Sequence, residues 1–234
     1  MKILVNGGSL SRGYGSWPYV VQQELSADLV NLSQAGAGIT YVHESTIAEL
    51  CQRNYDLVLL QWPPAIRIDY KVQDIKKFDQ TIFTSHHQAQ QNDWPEKIVY
   101  PINDQDYVEK DWVFGCGYIL NHDQSLKTLF DPLYANTGHN EHMYHMLIKL
   151  ISMQSYLKLN NIPYLFSFTR PLKLLPRFES LNQQLDQTHM FQEVYPADIA
   201  AQFNWWDNEG LHPNKQAYEH YAQAMLPSIR RIIQ

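Results

Sequence analysis

The chain has 234 residues, 44% of them hydrophobic and 18% charged, with a formal net charge of -6 and an isoelectric point near 5.9. That is enough chain for one sizeable core, and the composition excludes a disordered protein and argues against a nucleic-acid-binding surface. Two cysteines, Cys51 and Cys116, lie far apart with no CxxC or CxxH pattern, so neither a disulfide framework nor a structural zinc site is expected.

Met1 leads directly into the strand-like run Lys2-Ile3-Leu4-Val5-Asn6 with no leader pattern, and no apolar run approaches the roughly 20 residues that cross a bilayer. A cytoplasmic protein is therefore expected. The first strand ends in Gly7-Gly8-Ser9, the pattern of a buried parallel strand entering a tight loop. Ser16-Trp17-Pro18 then supplies a cap and an early proline for a helix that carries Val20, Val21 and Leu25 on one face up to Ser26. Asp28 to Leu32 reads as a second strand, residues 42 to 53 as a helix with Val42, Ile47, Leu50 and Cys51 together, and Asp56 to Gln61 as a third strand. This alternation predicts an α/β fold with right-handed crossovers and a parallel sheet, whose ligands bind beyond the carboxyl ends of the strands.

Residues 70 to 136 carry weaker signals: a strand at Lys97 to Tyr100 and short elements within Val113 to Leu120, read together as an insertion or cap in a single domain spanning residues 1 to 234. A helix follows over Asn140 to Leu159, closed by Asn160-Asn161, and then a strand from Ile162 to Phe168. Residues 170 to 205 read as loop with one weak helix, and the chain ends in an amphipathic helix over Asn214 to Ile233.

Two residues stand out chemically. Ser9, in a glycine-flanked turn at a strand end, can present its hydroxyl as a nucleophile; the bland alternative is a turn serine bonded to a local amide. His212, just before the last helix, follows Asp207 and Glu209, either of which can hold one ring nitrogen so that the other acts as a base. Serine chemistry needs the two groups close in space, not in sequence.

The string Gly7-Gly8-Ser9-Leu10-Ser11 resembles the first block of the SGNH (GDSL-type) hydrolases, with Gly8 where those enzymes usually carry Asp. Asn31-Leu32-Ser33-Gln34-Ala35-Gly36-Ala37 resembles their second block and Leu211-His212-Pro213-Asn214 their last, in family order across nearly the whole chain. The resemblance implies a three-layer α/β/α fold with a central parallel sheet of flavodoxin-like type, Ser9 as nucleophile and His212 as base. It also implies that the amides of Ser9 and Gly36 bind the oxyanion, with no cofactor and no metal. The acid usually stands as Asp-x-x-His, a position held here by Glu209, with Asp207 as the alternate.

The third block, normally Gly-x-Asn-Asp, is replaced by Gln61-Trp62-Pro63-Pro64-Ala65-Ile66-Arg67, which leaves the oxyanion asparagine without a counterpart. Gln61 or Arg67 is a candidate for that donor, and Arg67 and Trp62 are candidates for substrate binding; core packing and a surface ion pair are the competing readings. Ser16-Trp17-Pro18, Gly36-Ala37-Gly38 and the Gln-Trp strand end resemble a divergent branch linked to bacterial surface polysaccharides. The activity implied is a serine esterase or O-acyltransferase acting on a glycan or small-molecule ester, chiefly a carbohydrate O-acetyl group. The alternative is a catalytically silent glycan-binding or polysaccharide-assembly protein on the same fold.

Other histidines offer less. His139, Glu141, His142 and His145 invite a metal reading, but gaps of three drift around a helix, and a polar helix start explains them equally. His86-His87 could line a pocket, and Trp205-Trp206 could stack on a sugar or anchor their loop.

Overall fold

The computed structural model describes residues 1–13, 15–71, 112–115, 124–172, 175–207 and 212–234, with the backbone alone for residues 70, 71, 113–115 and 124–129. Five parallel strands form the central sheet: β1 (Lys2–Asn6), β2 (Asp28–Asn31), β3 (Leu57–Trp62), β6 (Tyr164–Phe168) and β7 (Met190–Phe191), in the order β2-β1-β3-β6-β7. Counted along this sheet alone, that is the flavodoxin-type order, whose direction reverses between the first and third strands. A separate antiparallel pair joins β4 (Ile68–Lys71) to β5 (Trp112–Gly115).

Period-two alternation divides the strands between two cores. Leu4, Val58, Leu60 and Phe166 face one layer, with α2 (Ile39–Leu50) and α4 (His139–Leu159); α3 (Gln124–Asn136) adds Phe130. Ile3, Val5, Leu57, Leu59 and Leu165 face the other, with α1 (Trp17–Leu25), α6 (Pro196–Phe203) and α7 (Lys215–Ile233). A short helix, α5 (Glu179–Asn182), precedes β7. The three-layer α/β/α arrangement expected from the sequence is thus the fold observed.

Most elements start and stop where the chain signals them. Helix α1 ends at Ser26, which takes the left-handed conformation (φ 46°) and closes the last turn, and Asn161 (φ 54°) does the same beyond α4. Helix α2 starts earlier than its apolar spacing suggests, because its first amides are tied from far along the chain, and it ends at Leu50. Asp69 Oδ2, on β4, accepts the backbone N–H groups of Gly38 and Tyr41, both at 2.8 Å. The expected strand at Lys97 to Tyr100, Cys116 and most of the proposed cap lie outside the described residues, while the short elements expected near Val113 begin as β5.

Two buried polar devices brace the carboxyl end of the sheet. Asn6 is fully buried; its Nδ2 donates to Val42 O at 3.2 Å, Ser45 Oγ at 2.8 Å and Thr46 Oγ1 at 3.0 Å, and its Oδ1 accepts Gly7 N at 2.8 Å. Asn6→Ala would orphan a buried amide beneath the Ser9 turn, and we expect a loss of about 2 kcal/mol, read as a lower midpoint in urea with an unchanged slope.

Asp69, 4% exposed, has its pKa raised to about 6 chiefly by burial, against the lowering effect of the N–H groups it accepts. Because the folded carboxyl holds its proton to higher pH than the unfolded one, this group destabilises the fold progressively as pH rises from about 4 to 6. Asp69→Asn keeps an oxygen for the two amides. It should therefore gain stability over the native protein at pH 7.5, on the order of 1–3 kcal/mol, with the gain vanishing near pH 4 in parallel thermal melts.

Candidate active site

Strand β1 delivers Gly7, Gly8 and a single 3-10 turn, Ser9–Ser11, to the carboxyl edge of the sheet, beside β3 at the point where strand order reverses. Close packing fixes this turn. A Cβ on Gly7 would lie 2.8 Å from Ser11 Oγ and 2.9 Å from Gln61 O, so only glycine passes there. Ser9 is partly exposed and Ser11 is buried.

The loop after β2 lies alongside. Leu32 N donates to Val5 O (2.8 Å) and Gln34 N to Gly7 O (3.1 Å), while Asn31 Nδ2 donates to Ser11 O (2.7 Å). Gly36, the second-block glycine, has φ 83°, a left-handed conformation that the turn into α2 requires. The backbone following β3 closes on this loop from the other side. A Cβ on Gly38 would meet Arg67 O at 2.7 Å and Asp69 Oδ2 at 2.9 Å.

His212 belongs to a loop held by paired backbone. Trp206 and Pro213 form an antiparallel bridge, with Asp207 N donating to His212 O (2.8 Å) and Asn214 N to Trp205 O (2.9 Å). Asn214 Oδ1 then caps α7 by accepting Ala217 N. This pairing sets Asp207 beside His212, Oδ2 to Nδ1 at 3.7 Å, with both side chains partly exposed. The distance is ion-pair reach, longer than a direct hydrogen bond. Glu209, the acid suggested by spacing, lies outside the described residues, as do His86 and His87.

The two ends of the chain meet through α1 and α7. Trp17, at the start of α1, packs edge-on against Tyr221 with ring centroids 5.9 Å apart; near its end, Glu24 accepts Gln223 Nε2 (2.9 Å) and lies 3.8 Å from Arg230. The helices therefore run side by side in the same direction. The start of α7, with His212 just before it, faces the same sheet edge as the start of α1 and the Ser9 turn.

Two of the candidate residues sit elsewhere than expected. Gln61 is fully buried and committed: Oε1 accepts Ser11 Oγ (2.7 Å) and Nε2 donates to Tyr221 OH (3.4 Å), while Trp17 Nε1 donates to Ser11 Oγ (3.1 Å). Burial, opposed by bonds from Ser167 and Gln61, pushes the Tyr221 hydroxyl up to about 12, so it stays protonated. This chain of bonds links Trp17 and Gln61 through Ser11 and holds the Gln61 amide inside the core. Trp62 is also fully buried, packed edge-on against Phe166 at 5.6 Å, a core residue with no face for substrate. From sequence, core packing was the competing reading for both residues.

Arg67 behaves differently. Its Nη1 lies 3.4 Å from Ala37 O and 3.1 Å from where a Cβ on Gly8 would stand, which puts the guanidinium between the Ser9 turn and the Gly36 loop. The histidine cluster on α4 resolves into local contacts: His145 Nε2 lies 2.8 Å from Glu141 Oε1, and the ring of His142 packs near Tyr134. Among the described residues, no group of three or more His, Cys, Asp and Glu side chains is placed to hold a metal ion, and no helix is long and apolar enough to cross a membrane. Trp205 stacks on Phe203 at 4.6 Å and packs against the α1–α7 core, consistent with an anchor for the loop.

No protein-family model matches the chain, and no curated protein matches it in sequence. Among solved structures, the chain is similar to the psychrotrophic esterase EstA from Pseudoalteromonas sp., in a form inhibited by monoethylphosphonate. The identity is 16%, the alignment covers 98% of this chain and 97% of that one, and the TM-score is 0.52. It also matches an acetyl xylan esterase, AlAXEase, at 12% identity over 97% and 99% of the two chains with a TM-score of 0.49. TesA matches at 13% identity over 99% of each chain with a TM-score of 0.47.

Proposed function

From a chain with the fold of the SGNH hydrolases, we propose a serine esterase or O-acyltransferase in which Ser9 is the nucleophile, His212 the base and Asp207 the acid that orients it. The observation that supports the proposal is the 3.7 Å approach of Asp207 Oδ2 to His212 Nδ1 just before α7, a helix that packs alongside α1. With Nδ1 facing Asp207, Nε2 is the nitrogen that takes the Ser9 proton as Oγ attacks an ester carbonyl. The carbonyl electrons move onto oxygen, where the amides of Ser9 and Gly36 receive them. Collapse expels the alcohol with a proton from His212, and water or a second alcohol then releases the acyl group from Ser9.

The substrate class we assign is an O-acyl ester, chiefly an O-acetyl group on a carbohydrate. It rests on the resemblance of Ser16-Trp17-Pro18, Gly36-Ala37-Gly38 and Gln61-Trp62 to proteins linked to surface polysaccharides. A second reading, a silent glycan-binding protein, is favoured by the enclosure of Gln61, whose side chain is buried and bonded to Ser11. Reaction with a fluorophosphonate probe separates the two. An activated Ser9 is labelled and found by peptide mapping, whereas a silent site leaves Ser9 unmodified.

A further inference from the structure

We infer that Ser11, Gln61 and Tyr221 form one positioning unit, a buried hydrogen-bonded chain that fixes the turn carrying Ser9 against the helix that follows His212. The inference rests on the serine-esterase reading of Ser9 and His212; the three residues act through that pair and touch no substrate themselves.

Trp17, Ser11, Gln61 and Tyr221 are all fully buried. In β3 the four residues before Gln61 are apolar, and the register partner of Gln61 on β6 is Ser167, which also bonds Tyr221. Polar groups thus enter the α1 and α7 side of the core at the carboxyl end of the sheet, beside the Ser9 turn. Apolar residues at these places would fill the volume without stripping water from hydroxyls and an amide, so packing alone does not call for them.

Each proton in the chain has one place to go. The Trp17 indole only donates, and it donates to Ser11 Oγ at 3.1 Å; the Ser11 hydroxyl therefore directs its own proton to Gln61 Oε1 at 2.7 Å. That bond turns the Gln61 amide so that Nε2 donates to Tyr221 OH at 3.4 Å. A satisfied polar chain of this kind specifies a single arrangement of the elements it joins.

Both ends of the chain are attached to the proposed chemistry. Ser11 shares its 3-10 turn with Ser9; its N–H donates to Gly8 O at 3.1 Å, and its Oγ lies 2.8 Å from where a Cβ on Gly7 would stand. Tyr221 lies on α7, whose cap, Asn214, comes two residues after His212, and its ring is held edge-on by Trp17 at 5.9 Å and Phe191 at 5.6 Å. Misplacing reacting groups by about 1 Å can cost about a hundredfold even when the change lies away from them.

The test measures turnover of 4-nitrophenyl acetate by the full chain in Ser11→Ala, Tyr221→Phe and the double variant. His212 serves both half-reactions, so each single change should lower kcat about tenfold and leave KM within about twofold. The double variant should lose no more than about threefold beyond the weaker single one, because breaking one chain twice costs little more than breaking it once. The rate at which a fluorophosphonate labels Ser9 should fall with kcat.

A kcat within about threefold of the parent in either folded single variant overturns the inference, even where the melting temperature drops, since that is the signature of a brace with no part in positioning. A further loss greater than about threefold in the double variant overturns it too, as does a raised KM with kcat intact. Tyr221→Phe, which keeps the ring, carries the test alone if Ser11→Ala does not fold. Turnover that depends on Ser9 but ignores these changes sinks this inference alone. A parent protein inert to both the ester and the fluorophosphonate sinks the esterase reading along with it.

Discussion

Ser9→Ala is expected to abolish turnover of a small acetyl ester, a fall of at least about ten-thousandfold in kcat, while the melting temperature barely moves. The two halves of that result have separate causes. Losing the nucleophile leaves only binding and oxyanion stabilisation, which alone account for a small residue of the rate. The hydroxyl is partly exposed, and the turn around it is held by backbone bonds, Ser11 N to Gly8 O at 3.1 Å and Arg12 N to Ser9 O at 3.3 Å, which alanine preserves. A measurement that found equal activity in the two proteins would refute the serine mechanism. A large drop in melting temperature would instead assign Ser9 to the scaffold.

Asp207→Asn should cost about ten-thousandfold in kcat, because an amide facing Nδ1 can impose the wrong tautomer on His212 and cannot stabilise its charged form. Glu209→Gln, made in parallel, is expected to change kcat by less than about threefold with Asp207 in the acid's role. The pair of variants decides the acid. The reverse ranking would move the role to Glu209, and two weak effects would mean that His212 works without a carboxylate. The basis for choosing Asp207 is the backbone bridge between Trp206 and Pro213, which sets residues 207 and 212 opposite one another, as cross-strand neighbours are.

The opposition of Asp207 and His212 also shows what the sequence could and could not disclose. Spacing alone favours Glu209, since Asp-x-x-His is the familiar pattern; the bridge that sets Asp207 beside His212 involves a proline and a tryptophan that carry no strand signal of their own. The buried parallel strands were legible because β1 and β3 read as unbroken apolar runs, and the final helix because its apolar face repeats over its whole length. The start of helix α2 has no local signal because Asp69, which holds its first amides, belongs to a short, polar strand. Strand β7, only Met190 and Phe191, exists because β6 offers it a paired edge, a tertiary effect with no local signature.

Gln61 illustrates a different limit. A glutamine at a strand end reads equally well as a wall of the site or as a buried brace, and only the positions of Ser11 and Tyr221, one from each end of the chain, settle it as a brace.

The antiparallel pairing of β4 with β5 places Lys71 opposite Trp112, so the polypeptide departs and returns at adjoining points just beyond Arg67. Trp112 is locked edge-on against Tyr41 at 5.5 Å, and Asp69 bolts the departing strand to the same helix. Whatever residues 72–111 contribute, their number can change without shifting the frame that holds the hydroxyl and the imidazole. Doubling the length of such an excursion adds only about 0.6 kcal/mol of closure entropy. Descendants of this chain are therefore free to lengthen, trim or exchange that stretch while the paired strands at its two ends stay in place.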